Sequence, residues 1–424
     1  MRYRYRGAGL LALAALAALA VAPAPAAASP SPAAAPSAGV ARDLAGEAAP
    51  LAAFDAYTVF NVPADDGTRD RSIEDEIVRL ADGAPAGGYI RGAMFSWTSP
   101  VVAEALKRAA ARGVVVRLAV DREGDGNVNL DPANAAVSTL RGAGLDDLVF
   151  CGTSSAAVAG SSACVANHAN SINHNKFFTF STSGTMKRVV LVSSQNLTFS
   201  QNNLFNNAVV VHGDYDLYDH FTRYFNELRA ERKNNNFFSA ADGYYKSPTT
   251  AVTVYHSPRA VGDTVDNVLS YVTTYESGCA IDVAQAMFTD ARPAVASELL
   301  RIARLGCKVR VVYGEMGDQV YGILRSSANV SLKKYWDAET GNVDGRTVTV
   351  HSKYLVVKGN YNGASGRTIV FTGSHNLTGP SLVNHDETFL KIEHSTVSAG
   401  YRANFTTLWG RAKCVNPDNG SCIY

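Results

Sequence analysis

Residues 351–376 read HSKYLVVKGNYNGASGRTIVFTGSHN: a short apolar strand opened by His351 and Lys353, a Gly/Asn/Ser turn, and a second apolar strand ending in Gly373, Ser374 and Asn376. The arrangement occurs once before, where HNKFFTFS starts at His174 and VVLVSSQN delivers Ser194 and Asn196. Strand side chains alternate faces, so His and Lys two apart point the same way, as do Ser and Asn two apart. Each copy thus presents four polar groups at strand edges. A lone His or Lys in such a place is ordinarily a solvated or hydrogen-bonded surface group. Two His–Lys pairs and two Ser–Asn pairs in matching halves are hard to obtain by surface chance.

Working outward, the first half carries YIRGAMFSWTSPVVAEALKRAAARGVVVRLAVD, which reads as a strand, an amphipathic helix with Val101, Val102, Ala105, Leu106 and Ala109 inward, a Gly stop and a strand. IDVAQAMFTDARPAVASELLRIARLGCKVRVVYG repeats it, with Ala93-Met94-Phe95 on Ala286-Met287-Phe288 and Gly113 on Gly306 at a constant offset of 193. A helical pattern between apolar strands is a βαβ signature and predicts α/β halves, each with a mainly parallel sheet flanked by helices. Each half closes on a helix: Leu217, Phe221, Tyr224, Phe225 and Leu228 form one apolar stripe, and Tyr401, Phe405, Leu408 and Trp409 the other. At helical spacing these aromatics are core. The polar, turn-rich NNNFFSAADGYYKSPTT separates the halves and places domains at 51–235 and 236–424.

The paired pattern resembles the phospholipase D superfamily, whose motif is H-x-K-x4-D followed by G-S-x-N, usually present twice in a chain. The resemblance runs from about Phe54 to Trp409. It departs from the family where Ser181 and Lys358 stand at the motif aspartates and Ser193 stands for a glycine. By strand parity positions 181 and 358 point away from the His–Lys face, so their change bears on packing more than on catalysis. The family adds an acidic residue shortly after the second motif element. Here that is Glu387, eleven past Asn376, while the position eleven past Asn196 is Asn207.

The N-terminus supplies the compartment. MRYRYR is basic, GAGLLALAALAALAV apolar and APAPAAAS rich in small residues, which reads as a secretory signal peptide over 1–28, with a disordered Ala/Pro/Ser linker over 29–50. The apolar run is shorter than the roughly 20 residues of a membrane span. The expected protein is secreted and extracellular. Six cysteines in an exported chain predict disulfides. Cys151 and Cys164 bracket a low-complexity loop, Cys279 and Cys307 each open a strand of one βαβ unit, and Cys414 and Cys422 clip the tail. No C-x-x-C or His-rich spacing supports zinc, and DREGDGNVNLD, with Asp125, Asn127, Asn129 and Asp131 alternating, lacks the Gly and Glu of a calcium loop and reads as a solvated turn. No metal or cofactor is expected. The formal net charge is +1 with Arg2, Arg4 and Arg6 in the leader, so bulk charge excludes a strong polyanion binder beyond it.

Chemically, Lys176 and Lys353 are point charges suited to phosphate oxygens, and Asn196, Asn376, Ser194 and Ser374 are hydrogen-bond donors. Histidine serves as nucleophile, base or acid near neutral pH. The resemblance implies two domains related by a pseudo-twofold axis around one cleft, and a metal-free displacement through a phosphohistidine. It also implies that the acidic residue of one half buttresses the histidine of the other, so Glu387 supports His174 as nucleophile, while Asn207 lies near His351 as general acid. The expected catalytic set is His174, Lys176, His351, Lys353, Asn196, Asn376 and Glu387, with Ser194, Ser374 and Asn207 binding substrate. The expected activity is a secreted phosphodiesterase of the phospholipase D type, a monomer that hydrolyses or transphosphatidylates phospholipid headgroups with transient membrane-surface contact. The alternatives are a secreted endonuclease acting on nucleic acid and an inactive binding protein.

Overall fold

The structure, a computed structural model, describes residues 54–64, 67–248, 251–335 and 348–412. The signal peptide, the linker, and Cys414 with Cys422 lie outside the described residues. Of the remaining expected pairs, Cys151–Cys164 and Cys279–Cys307 are both bonded.

The first half runs β1 (Asp55–Asn61), α1 (Ser72–Asp82), β2 (Tyr89–Met94), α2 (Pro100–Ala111), β3 (Val115–Asp121), α3 (Ala135–Gly142), β4 (Asp147–Cys151), β5 (Lys176–Ser183), β6 (Met186–Ser193), β7 (Leu204–His212) and α4 (Tyr215–Arg229). The second runs β8 (Tyr244–Lys246), β9 (Val252–Ser257), α5 (Thr264–Leu269), β10 (Ala280–Phe288), α6 (Pro293–Arg304), β11 (Lys308–Met316), α7 (Asp318–Leu324) and β12 (Val330–Lys334). It continues through β13 (Thr349–Val350), β14 (Lys353–Tyr361), β15 (Ala364–Gly373), α8 (Gly379–Val383), β16 (Glu387–Ile392) and α9 (Ser395–Arg411).

The two eight-stranded sheets have matching order. One reads β1-β7-β6-β5-β2-β3-β4; the other, reversed, reads β9-β16-β15-β14-β10-β11-β12, with β8 added beyond β9. The eighth strand of the first sheet is β13, which comes from the second half and pairs parallel with β7. The duplicated α/β architecture is therefore present. Strand direction needs a correction: β2-β3-β4 and β10-β11-β12 are parallel, but β5, β6, β7 and β1, like β14, β15, β16 and β9, pair antiparallel. A buried strand reads as a near-continuous apolar run whichever way it points, so periodicity did not reveal direction.

The constant offset of 193 also gives way. It holds for α2 against α6 and for β3 against β11, where Tyr89↔Val115 matches Ala280↔Lys308. In β2 and β10 the offset is 191: Met94 faces Lys176 as Gln285 faces Lys353, and Trp97 bridges Leu197 as Phe288 bridges Leu377. Two extra residues sit between β10 and α6. A shift of two keeps every side chain on its face, so the apolar pattern was blind to it.

Three apolar clusters hold the layers. Helices α1, α2 and α3 cover the outside of the first sheet with Ile73, Ile77, Leu106 and Leu140, and α5, α6 and α7 cover the second with Val265, Leu299, Ile302 and Leu324. The third cluster is shared. Phe221, Tyr224 and Phe225 of α4 and Tyr401, Phe405 and Leu408 of α9 pack with Phe177, Val254 and Tyr354 from both sheets. Each fully buried large apolar side chain contributes about 1.5–3 kcal/mol, so the halves are joined by a core rather than by a surface contact. The DREGDGNVNLD segment is less solvated than its composition predicts. Asn129 is buried, accepting from the Trp97 N–H at 3.0 Å and donating to the Phe95 and Asp121 carbonyls.

Candidate functional site

Each half hands its histidine to the other. The His174 N–H donates to the Asp386 carbonyl and the Asp386 N–H to that of Ile172, setting the histidine against the start of β16. The His351 N–H donates to the Phe205 carbonyl, setting the second histidine against the start of β7. Asp386 locks the first contact, its carboxylate accepting from the Cys164, Val165 and Ala166 N–H groups at 2.6–3.0 Å. Burial nevertheless lifts that carboxyl to about 6.

The result around His174 is a buried His–carboxylate pair. His174 Nδ1 lies 2.8 Å from Glu387 Oε1, and Ser374 Oγ donates to Glu387 Oε2. Two donors on one carboxylate fit an ionised Glu387, so Nδ1 carries the ring proton and the Nε2 lone pair faces away from it. Burial, then the Lys176 and Lys353 cations, hold His174 well below the usual imidazole range, which keeps Nε2 unprotonated at neutral pH. Burial pushes Glu387 up.

Around His351 the equivalent group is neutral, and it is Asn206. His351 Nδ1 lies 2.9 Å from Asn206 Oδ1, which also accepts from Ser194 Oγ at 2.9 Å. Asn206 Nδ2 donates to the Gln201 backbone and side-chain oxygens, both at 3.1 Å, and that fixes which end of the amide meets the imidazole. Asn207, expected at this place, is elsewhere. Its amide donates to Thr372 Oγ1 at 2.7 Å and its oxygen accepts from the Lys353 N–H, so it knits the halves together and offers substrate nothing. The turn explains the slip: the Asn207 N–H meets Ser194 Oγ as the Thr388 N–H meets Ser374 Oγ. The segment from Ser194 to its partner is therefore one residue shorter than the segment from Ser374 to Glu387. Ser194 and Ser374 are likewise corrected, since their hydroxyls orient Asn206 and Glu387 rather than facing the cleft.

Lys176 Nζ donates to the His174 carbonyl at 2.7 Å and Lys353 Nζ to the His351 carbonyl at 2.9 Å. Burial brings Lys176 down to about 7 and Lys353 well below its ordinary value. Lys353, Lys176 and His174 all act on His351, adding to burial in holding it low. The four groups thus share one electrostatic space. Phosphate charge there would favour every protonated form. Asn376 lines one cavity with His351, and Asn196 and Asn376 each have a buried carboxamide oxygen with no partner among the described residues.

The positions lacking the family aspartates stand apart. Ser181 and Lys358 lie five residues beyond the motif lysines, about 16 Å along the strand. Ser181 Oγ accepts from the Tyr89 N–H and Lys358 is exposed. Neither reaches the imidazoles.

Three contributors escaped sequence reading. Asn206 was hidden by the shortened turn. Phe95 sets its ring edgewise to His174 at 5.2 Å, with Lys176 Nζ also 5.2 Å from its centroid. Gln285, the neighbour of Lys353 on β10, is wholly buried, and neither amide atom has a partner among the described residues. The two-residue shift was the missing signal for the last two, because it pairs Phe95 with Ala286 and Met94 with Gln285.

A family model described as "Cardiolipin synthase, PLD-like domain" matches residues 84–229 and again 276–409. No curated protein matches the sequence. Among solved structures the chain is similar to phosphatidylserine synthase from Haemophilus influenzae Rd KW20, at 11% identity and a TM-score of 0.56, covering 84% of this chain and 89% of that one. It is also similar to polyphosphate kinase from Porphyromonas gingivalis, at 13% identity and a TM-score of 0.52, covering 87% of this chain. It spans about half the length of that kinase, 52%. At these identities the likeness speaks for the fold. The two family-model matches cover well over half of the sequence, each taking in one His–Lys strand and its Ser–Asn partner, and the chain belongs to the phospholipase D superfamily.

Proposed function

We propose that this protein is an exported phosphodiesterase of the phospholipase D type that cleaves the headgroup phosphodiester of phospholipids through a phosphohistidine on His174. The observation that carries the reading is the buried Glu387–His174 pair opposite an amide-backed His351. A histidine that attacks phosphorus becomes a cationic phospho-imidazole, which a carboxylate on its other nitrogen orients and stabilises. An acid that must release its proton is better served by a neutral partner. His174 Nε2 attacks phosphorus, the P–O bond to the leaving group breaks, and His351 Nε2–H protonates the departing alkoxide. Water or an alcohol, deprotonated by His351, then displaces His174 from phosphorus.

Lys176, Lys353 and the Asn196 and Asn376 amides supply the charge stabilisation that the transferring phosphoryl group needs. Export is supported by the composition of the leader and by the Cys151–Cys164 and Cys279–Cys307 bonds. Among the described residues no helix is long and apolar enough to cross a membrane, and membrane contact in this reading is transient. The reading keeps domains at 51–235 and 236–424 and a monomer.

The test is turnover by the purified protein of phosphatidylcholine, phosphatidylethanolamine and single-stranded DNA, each with and without EDTA. Headgroup release that survives chelation is expected. Cleavage of DNA alone would replace the lipid reading with a nuclease, and no turnover of any substrate would leave a binding protein.

A further inference from the structure

A cavity of 540 Å³ opens on His351 and Asn376, the half of the site that carries the amide-backed histidine. Its origin lies in the mismatch between the halves. Phe95 occupies the corresponding place beside His174, whereas here the side chain is Ala286. The position matching Asp121 is Gly314. In the first half that carboxylate is buried, accepting from Ser162 Oγ and from the Asn173 N–H. In the second, a Cβ on Gly314 would fall 2.8 Å from the Ala286 carbonyl oxygen and 3.3 Å from that of Val350, so only glycine fits under the cavity wall. The next residue, Glu315, lines the cavity with an exposed carboxylate; Lys334 lines it too.

Resting on the reading above, we propose that this cavity is the alcohol site, and that Glu315 selects alcohols carrying a primary ammonium. Three observations converge. The cavity adjoins the histidine that exchanges a proton with the leaving or entering oxygen. Its volume leaves ample room for a headgroup of a few heavy atoms, and two acyl chains would not fit it. Among the described residues its lining includes no aromatic ring to cage a quaternary ammonium, while the Glu315 carboxylate suits a hydrogen-bonding ammonium. In the resolving step the alcohol oxygen bonds to phosphorus as the bond from phosphorus to His174 Nε2 breaks, and the hydroxyl proton passes to His351 Nε2.

The experiment is competition between ethanolamine and ethylene glycol, near-isosteres that differ in charge, as acceptors for the phosphoryl group of phosphatidyl-p-nitrophenol in detergent micelles. The wild-type product ratio should favour ethanolamine about fivefold at low salt, the size of a partly exposed ion pair, and should shrink as salt is added. In Glu315→Gln the ratio should approach one. In Ala286→Phe, which installs the other half's side chain, both alcohol products should fall relative to the water product. A wild-type ratio near one, or a ratio unchanged in Glu315→Gln, overturns the assignment. Release of p-nitrophenol with water as sole acceptor overturns it while leaving the phosphodiesterase standing. Absence of p-nitrophenol release from every preparation overturns both.

Discussion

The halves of this molecule share strand order, His–Lys spacing and the handing of each histidine to the opposite sheet, yet they differ at four positions around the two histidines. Glu387 is matched by Asn206, Phe95 by Ala286, Met94 by Gln285 and Asp121 by Gly314. The side holding His174 is charged behind the imidazole and filled in front. The side holding His351 is neutral behind and open in front. These substitutions make the two histidines unequal, and in the proposed reading one is backed by a carboxylate that stabilises its phosphorylated form and is closed off, while the other exchanges protons with a group that comes and goes.

The hardest test of that inequality is to remove each imidazole. His174→Ala should lose all phosphoenzyme and about 10⁴-fold or more in turnover with any substrate, because no other nucleophile is positioned. His351→Ala should lose about 10²–10⁴-fold on a natural alkoxide leaving group and much less on p-nitrophenolate, which needs no proton. Burst release of p-nitrophenol with trapped phosphohistidine in His351→Ala is the expected record. If the activated leaving group rescued His174→Ala instead, the two sides would have to exchange roles.

The partners behind the rings come next. Glu387→Gln should behave as a weakened His174 variant, slow by about 10²-fold on activated and natural diesters alike. Asn206→Asp makes the sharper comparison. A carboxylate behind His351 favours the imidazolium, so the pH above which turnover of a natural diester declines should move up by about a unit or more. An activated diester should show no such movement. A profile unmoved in Asn206→Asp would mean that His351 is not the acid.

Much of this contrast was legible in the sequence, and the failures have physical causes. The His–Lys and Ser–Asn pairs, the βαβ units and the aromatic stripes of α4 and α9 were readable because alternation and helical periodicity report which face is buried. Glu387 was found through the family resemblance, as the acidic residue after the second motif element, and the count of eleven from Asn376 was then carried to the first half. The same count missed Asn206, since the short helical turn at Phe199–Asn203 returns the chain one residue sooner than α8 does. Ala286 and Gln285 were missed because a register shift of two is silent in the apolar pattern. The direction of β5, β6 and β7 was missed because a buried strand looks the same both ways.

The two lysines offer a smaller effect. With Lys176 brought by burial to about 7, its cation is present below that pH and lost above it. In the proposed reading the cationic form holds the phosphate, so kcat/KM should fall as pH rises through about 7, chiefly through a rising KM. An activated diester makes the measurement clean, because protonation of His351 then drops out. Tight substrate binding maintained to pH 9 would count against Lys176 as a phosphate ligand.

Gln285→Met carries the smallest expected effect and tests the comparison most directly, since it gives the second half the residue of the first. Gln285 is wholly buried, and neither amide atom has a partner among the described residues. Leaving a buried polar group unsatisfied costs about 1–3 kcal/mol, and methionine fills a similar volume without that cost. The variant should therefore unfold at higher urea, more stable by about 1 kcal/mol. Its strand pairing sets Gln285 beside Lys353, whose ammonium belongs to the site. If the amide is kept there to meet substrate, the stabilised variant should also show KM raised about fivefold with kcat little changed, the loss of one neutral hydrogen bond. Greater stability with an unaltered KM would make Gln285 a packing defect that the other half has repaired. Lower stability would mean that water inside the cleft already satisfies the amide.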